Sequence, residues 1–380
     1  KVMRNFFYPL LLFAALFSSC RQEEVIHGSS SSNVGKPVYS EIEGFYLLNE
    51  GNMGLNKSSL DYYDATTATY HRNIYAERNP NVVKELGDVG NDLQIYGSKL
   101  YAVINCSHKM EVMNADDATR VAKIDIPNCR YVVGHKGYVY VSSYVGPVQI
   151  DPTAPKGAVF KVDTLTMNVV GNVEVGYQPE EMSVIGNKLY VANSGGYRIG
   201  NYENTVSVID LDKFEVCDVL ELEGVQNLHR MDVDSKGRLW VSSRGDYYGS
   251  VSTLVVVDPQ SGKILKNMNI PVSNMWVDDD VAYIISSEYS KVTETEEITY
   301  AKVDMLNMEI LSRQLITDGT DKKIKIPYGI AVNPVTKDIY ITDAKSYVVS
   351  GTLYCFDKNG VKLWQQTAGQ IPNSFAFKGK

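Results

Sequence analysis

Histidine and cysteine are scarce, five of each in 380 residues. There is no His-Glu-x-x-His and no Cys-x-x-Cys, and the histidines are scattered at His27, His71, His108, His135 and His229. Spacing therefore supplies no zinc-type ligand set. No Gly-x-Ser-x-Gly elbow or phosphate-binding loop stands out. The acidic run Asp278-Asp279-Asp280 has apolar neighbours and reads as a solvated turn, so no metal is expected. Basic residues are in deficit, 37 Lys+Arg against 45 Asp+Glu, for a net charge of −8, or −10 with Lys1 and Arg4 set aside. An acidic chain repels phosphate backbones, which argues against nucleic acid as a partner. Tryptophan and phenylalanine are few (3 and 10), whereas tyrosine is abundant at 26. That excess suggests many half-wet rings, as on binding surfaces.

What the chain does have is a repeat. A short apolar phrase with an aromatic residue occurs seven times, at 45–49, 100–105, 139–143, 189–193, 239–243, 282–286 and 339–343. Leu189-Tyr190-Val191-Ala192-Asn193 is one copy. An alternating phrase follows each, closed at Asp64, Asn114, Asp163, Asp210, Asp258, Asp304 and Asp357. The gaps between closers are 50, 49, 47, 48, 46 and 53 residues. Four strand-like segments in a unit of that length are the mark of a β-propeller. The fold expected is all-β: a seven-bladed β-propeller of four-stranded blades, spanning 41–380. Six phrases are preceded by another apolar strand and a tight turn, but the phrase at Phe45 is not. Its partner is expected at the other end of the chain, in 373–378, so that the N- and C-terminal strands close the ring and leave no open edge.

With strands labelled a to d from the axis outwards, the aromatic phrase is strand b and the closer ends strand c. The a–b and c–d connections read as tight turns, and the repeated closer as a turn cap. The b–c loops on the opposite face are long, dissimilar and rich in Tyr, Asn and Gly, which is where a rigid scaffold usually carries binding residues. Tyr144, Tyr197, Arg244, Tyr247, Tyr289 and Tyr347 lie in them. The segment 286–290 is read as one such loop. The d–a crossings on the same face should bring Asn91, Asp92, Arg130, Glu181, Arg230, Asn274, Tyr328 and Asn373 to the mouth of a central channel. Those fourteen residues form the expected ligand-binding set, with none assigned to catalysis. Cys217 and Cys355 read as small buried residues, and a Cys106–Cys129 disulfide is left open.

The chain begins with a basic start, a mostly apolar run at 6–17 that is shorter than the ~20 residues a membrane span needs, and then Ser18-Ser19-Cys20. This resembles a bacterial lipoprotein leader: residues 1–19 would be the signal peptide and Cys20 the lipidated residue. Residues 20–40, with Gly28 and the run Ser29 to Ser32, read as a flexible tether. The acidic pair Glu23-Glu24 resembles the surface-export signal of Bacteroidetes lipoproteins, which implies an outer-membrane location facing the cell exterior.

Leu189 to Gly196, followed by Asn204-Thr205-Val206-Ser207-Val208-Ile209-Asp210, resembles the repeat of YVTN/YncE-type propellers. Leader and propeller together resemble the BtuG family of surface lipoproteins. That resemblance implies non-covalent capture of cobalamin (vitamin B12) or related corrinoids. It also implies transfer to an outer-membrane TonB-dependent transporter of the BtuB type. No cofactor and no enzymatic activity are expected, and the membrane is reached through the lipid anchor alone. The alternatives are a propeller enzyme (a quinoprotein-like dehydrogenase or a lyase) and a glycan- or protein-binding surface propeller.

Overall fold

The computed structural model describes residues 28–82, 85–247, 251–290 and 295–380. The strands form seven antiparallel sheets. The inner strands a are Pro372–Gly379 in blade 1, then Gly90–Tyr96, Cys129–His135, Pro179–Ile185, Leu228–Val233, Asn274–Asp278 and Pro327–Val332 in blades 2 to 7. The C-terminal strand pairs with Ile42–Asn49 in the register Phe45↔Phe377 and Leu47↔Phe375. The ring closes as the sequence implies.

Strand b is apolar on both sides because each side meets another blade. In blade 1, Tyr46 and Leu48 pack with Leu93 and Leu100 of blade 2, while Phe45 and Leu47 pack with Tyr340 and Leu353 of blade 7. Seven such clusters occur among the described residues, one per blade-to-blade interface. Each fully buried Leu or Phe contributes ~1.5–3 kcal/mol, so the interfaces carry most of the stability. The closers cap turns. Asp163 Oδ1 accepts N–H groups from Leu165 and Thr166, Asp210 from Asp212 and Lys213, and Asp258 from Gln260 and Ser261. The acidic run is the a–b turn of blade 6, where Lys337 bridges Asp278 and Asp279.

Three details differ from the sequence reading, and one question it left open is answered. Ser30–Asn33, assigned to a flexible tether, is a fifth strand on the outer edge of blade 1, paired Ser30↔Arg72 to Asn33↔Thr69. The strand Thr69–Arg72 offers an open row of backbone groups, and Val34 is buried beside it in the blade 7–blade 1 cluster, so a polar stretch is ordered by its neighbours. The segment 286–290 is not a loop. The ladder of blade 6 continues from Ile285↔Tyr300 to Ser290↔Thr295. Cys217 is exposed rather than buried, on an outer strand with one face to solvent. Cys106 and Cys129 are both free thiols.

Candidate functional site

The strands a enter the channel from the face that carries the b–c loops. At that end a ring of polar bridges joins each blade to the next. The Asn373 amide donates to Asn91 O, the Asn91 amide to Arg130 O, and the Asn274 amide to Tyr328 O. Arg130 reaches Glu180, Glu181 accepts from Met231 N, Arg230 donates to Ser273 O, and Thr342 donates to Pro372 O. The ring positions are thus placed as expected, and Asn91, Asn274 and Asn373 spend their amides holding the ring together. Tyr328 donates to Glu50 across the blade 7–blade 1 junction at 2.7 Å.

Blades 3 to 5 hold the densest part of the mouth. The Glu180 carboxylate is fully buried and accepts from Arg130 Nη2 at 3.2 Å, Arg244 Nη1 at 3.0 Å and the Tyr144 hydroxyl. Burial alone would raise its pKa, but Arg130 and then Arg244 outweigh that and hold it below the usual carboxylate range. Arg230 lies 3.5 Å from Glu181. The Tyr131 ring sits between two guanidinium groups, with Arg230 Cζ 5.4 Å and Arg130 Cζ 5.9 Å from its centroid. Burial pushes the Tyr131 phenol up to about 12, against the pull of Arg230. Its hydroxyl meets His229 Nε2 at 2.9 Å. Burial, followed by Arg244, Arg230 and Arg130, holds His229 well below its ordinary value, so the imidazole is neutral. Its Nδ1 has no partner among the described residues.

Below the mouth lies a channel of about 720 Å³. Asp92, Tyr131, Glu181, Arg230, Asp232, Asn274 and Asn373 line it, with apolar Val184, Val233, Val277 and Phe377 further along the same strands. Burial pushes Asp92 up to about 7, although Val132 N donates to it. Asp232 is likewise pushed to about 7, and Glu181 is raised by burial in spite of Arg230.

The loop tyrosines separate into two kinds. Tyr144 is buried, with Arg130 Cζ 4.9 Å above its ring and Tyr197 edge-on at 4.9 Å. It shapes the site from behind. Tyr247 is exposed and lies edge-on to Tyr202, and Tyr347 packs edge-on to Tyr328 at 5.9 Å. The Tyr289 side chain and Cys20 lie outside the described residues. The sequence reading chose Glu181 from the acidic pair at 180–181, whereas Glu180 is the hub. It also left out Tyr131, Glu50 and Asp232. Tyr131 had a signal, since it follows Arg130 at the first turn of a strand a. Glu50 had none, because its side-chain partner, Tyr328, comes from blade 7 at the far end of the chain. Among the described residues no group of three or more His, Cys, Asp or Glu is placed to hold a metal.

Fold and mouth together define a seven-bladed β-propeller with a polar, arginine- and tyrosine-lined opening on its loop face. The chain belongs to the family described as a domain of unknown function, DUF5074, whose model matches residues 43–379. No curated protein matches the sequence. Among solved structures, a quinonprotein alcohol dehydrogenase-like protein of Bacteroides thetaiotaomicron is 13% identical, with TM-score 0.58 over 89% of this chain and 79% of its own. Hydrazine synthase of Kuenenia stuttgartiensis is 15% identical, with TM-score 0.55 over 71% and 77%. The WD40 propeller domain of Doa1 is 10% identical, with TM-score 0.53 over 83% and 92%. At these identities the likeness is one of fold.

Proposed function

We propose that this protein is a binding module that captures a bulky soluble ligand at the loop-face mouth, and that the ligand is cobalamin or a related corrinoid. The observation that carries the reading is the convergence of Tyr131, Tyr144 and Tyr197 with Arg130, Arg230 and Arg244 on a ring already tied together blade to blade. Side chains fixed in advance cost little ordering on binding. Rings give apolar contact to a flat macrocycle, and arginine and backbone groups meet its fringe of amides. The corrinoid assignment leans on the likeness to BtuG-type lipoproteins. With it come a lipid anchor at Cys20, a place on the outer membrane facing the exterior, and hand-over to a TonB-dependent transporter of the BtuB type. Among the described residues no helix is long and apolar enough to cross a membrane.

Calorimetric titration of the purified protein with cyanocobalamin tests the ligand. Saturable binding at micromolar concentration or below is expected, and its absence refutes the assignment.

One observation favours a second reading, a propeller enzyme. Burial pushes Asp92 and Asp232, both lining the channel, up to about 7, the range suited to proton transfer. That reading predicts a ligand chemically changed on recovery, which mass spectrometry after incubation would reveal.

A further inference from the structure

Arg130, Arg230 and Arg244 converge at the mouth of an acidic protein. Arg130 and Arg244 share Glu180, each on a different carboxylate oxygen, while Arg130 and Arg230 flank one ring, Tyr131. Their side chains are only 16%, 11% and 27% exposed, in that order. A guanidinium carries five N–H donors. Among the described residues Arg244 donates to one acceptor, Glu180 Oε1. Arg130 uses Nε and Nη2 on Glu180, and Arg230 uses Nε on Ser273 O and Nη1 on Glu181. Most of the donor capacity of the cluster is therefore unspent, in a place largely removed from water.

The carboxyls around these cations differ in how readily they ionise. Three permanent cations face Glu180, which is ionised, and Glu181, whose carboxyl burial pushes up. Asp92 and Glu50 are nearby, and burial pushes both of their carboxyls up as well, which blunts their compensation near neutrality. His229 is neutral and adds no charge of its own. Largely buried planar forks with unspent donors call for an oxygen-rich anion, since forked N–H pairs match two oxygens of one carboxylate or phosphate.

We propose that the Arg130–Arg230–Arg244 cradle binds a singly charged oxyanion of the ligand, a carboxylate or a phosphodiester, and thereby fixes the ligand's orientation over the channel. The inference rests on the mouth being a ligand site, but not on the ligand being a corrinoid.

Two small probes separate the sources: dimethyl phosphate for the diester and butyrate for the carboxylate. Each is titrated into the intact protein at constant ionic strength, with binding read by calorimetry and by the shift in Tm. One of the two is expected to bind saturably and raise Tm, and to weaken as salt rises. Arg244→Gln leaves Arg130 on Glu180 and should weaken that binding about tenfold or more, with Arg244→Lys in between. Circular dichroism establishes that each variant is folded, and the salt dependence of the unaltered protein stands if one is not. Absence of saturable binding by both probes, or equal binding in Arg244→Gln, overturns the cradle. Cyanocobalamin, which carries a phosphodiester, and dicyanocobinamide, which lacks one, form the last arm. Corrinoid binding that ignores both anions and Arg244 keeps the corrinoid reading and sinks the cradle. Anion binding without corrinoid binding does the reverse.

Discussion

Asp92→Asn should stabilise the protein, and by an amount that depends on pH. In the folded chain the Asp92 carboxyl is pushed from an ordinary 3.8 to about 7, first by burial, with Glu181 adding to it and Val132 N–H and Arg230 opposing. Between those two values the native state holds a proton that the unfolded state has released. Native binding of the extra proton makes stability fall as pH rises through this window. The slope is about 1.4 kcal/mol per pH unit and the fall ends above the folded value. Three units would give about 4 kcal/mol, but Asp92 lines a channel that admits solvent, so about 2 kcal/mol is the working figure. An asparagine has no charge to bury, and its Oδ1 can still accept from Val132 N. Urea unfolding of both proteins from pH 4 to pH 9 provides the assay. Near pH 4 the curves should nearly coincide, and the advantage of Asp92→Asn should grow to about 2 kcal/mol by pH 8 and then level off. A difference that is constant with pH would refute the reasoning, because it would mean that Asp92 is charged in the fold throughout.

Glu180→Gln should have the opposite effect at neutral pH. It leaves two guanidinium groups without their counter-ion, a loss of about 3 kcal/mol given that both retain some water contact. Because the folded pKa of Glu180 is depressed, its stabilisation is present above the unfolded carboxylate range and is lost as pH falls through the folded value. The variant should therefore lack that acid-side loss in urea melts. Phe45→Ala should cost about 3–5 kcal/mol. Phe45 is buried against the rings of Tyr340, Phe375 and Phe377 at 4.7, 5.4 and 5.8 Å, the seam where the two chain ends meet. A loss below about 1 kcal/mol in thermal unfolding would place that seam outside the cooperative unit.

Blade number, strand order and ring closure could be read from the sequence because a strand covered on both faces must be apolar at every position, and seven such strands recur at a near-constant interval. The closers were legible for a similar reason: an Asp at a fixed place before a tight turn has one common use. Ser30–Asn33 was not legible, because its pairing is made by backbone groups that any sequence carries. The blade 6 ladder was hidden by the polar make-up of Ser286 to Ser290, which lacks the apolar alternation that marks a strand. Within the mouth, positions were legible and roles were not. Asn91, Asn274 and Asn373 fell where expected, but which partner each amide chooses depends on distances between blades. The choice between Glu180 and Glu181 turned on the same distances, since neighbouring residues of a strand point to opposite faces.

The direction of the added strand at 30–33 has a geometric consequence. It runs antiparallel to Thr69–Arg72, and Arg72 lies at the end of its strand that leads to the a-strand crossing, so Ser30 stands at the rim with the long loops and Asn33 at the turn side. Ser30 thus lies on the same side of the ring as the arginines. The added strand therefore covers the outer edge of blade 1, and without it Thr69–Arg72 would be left as an unpaired edge open to another chain.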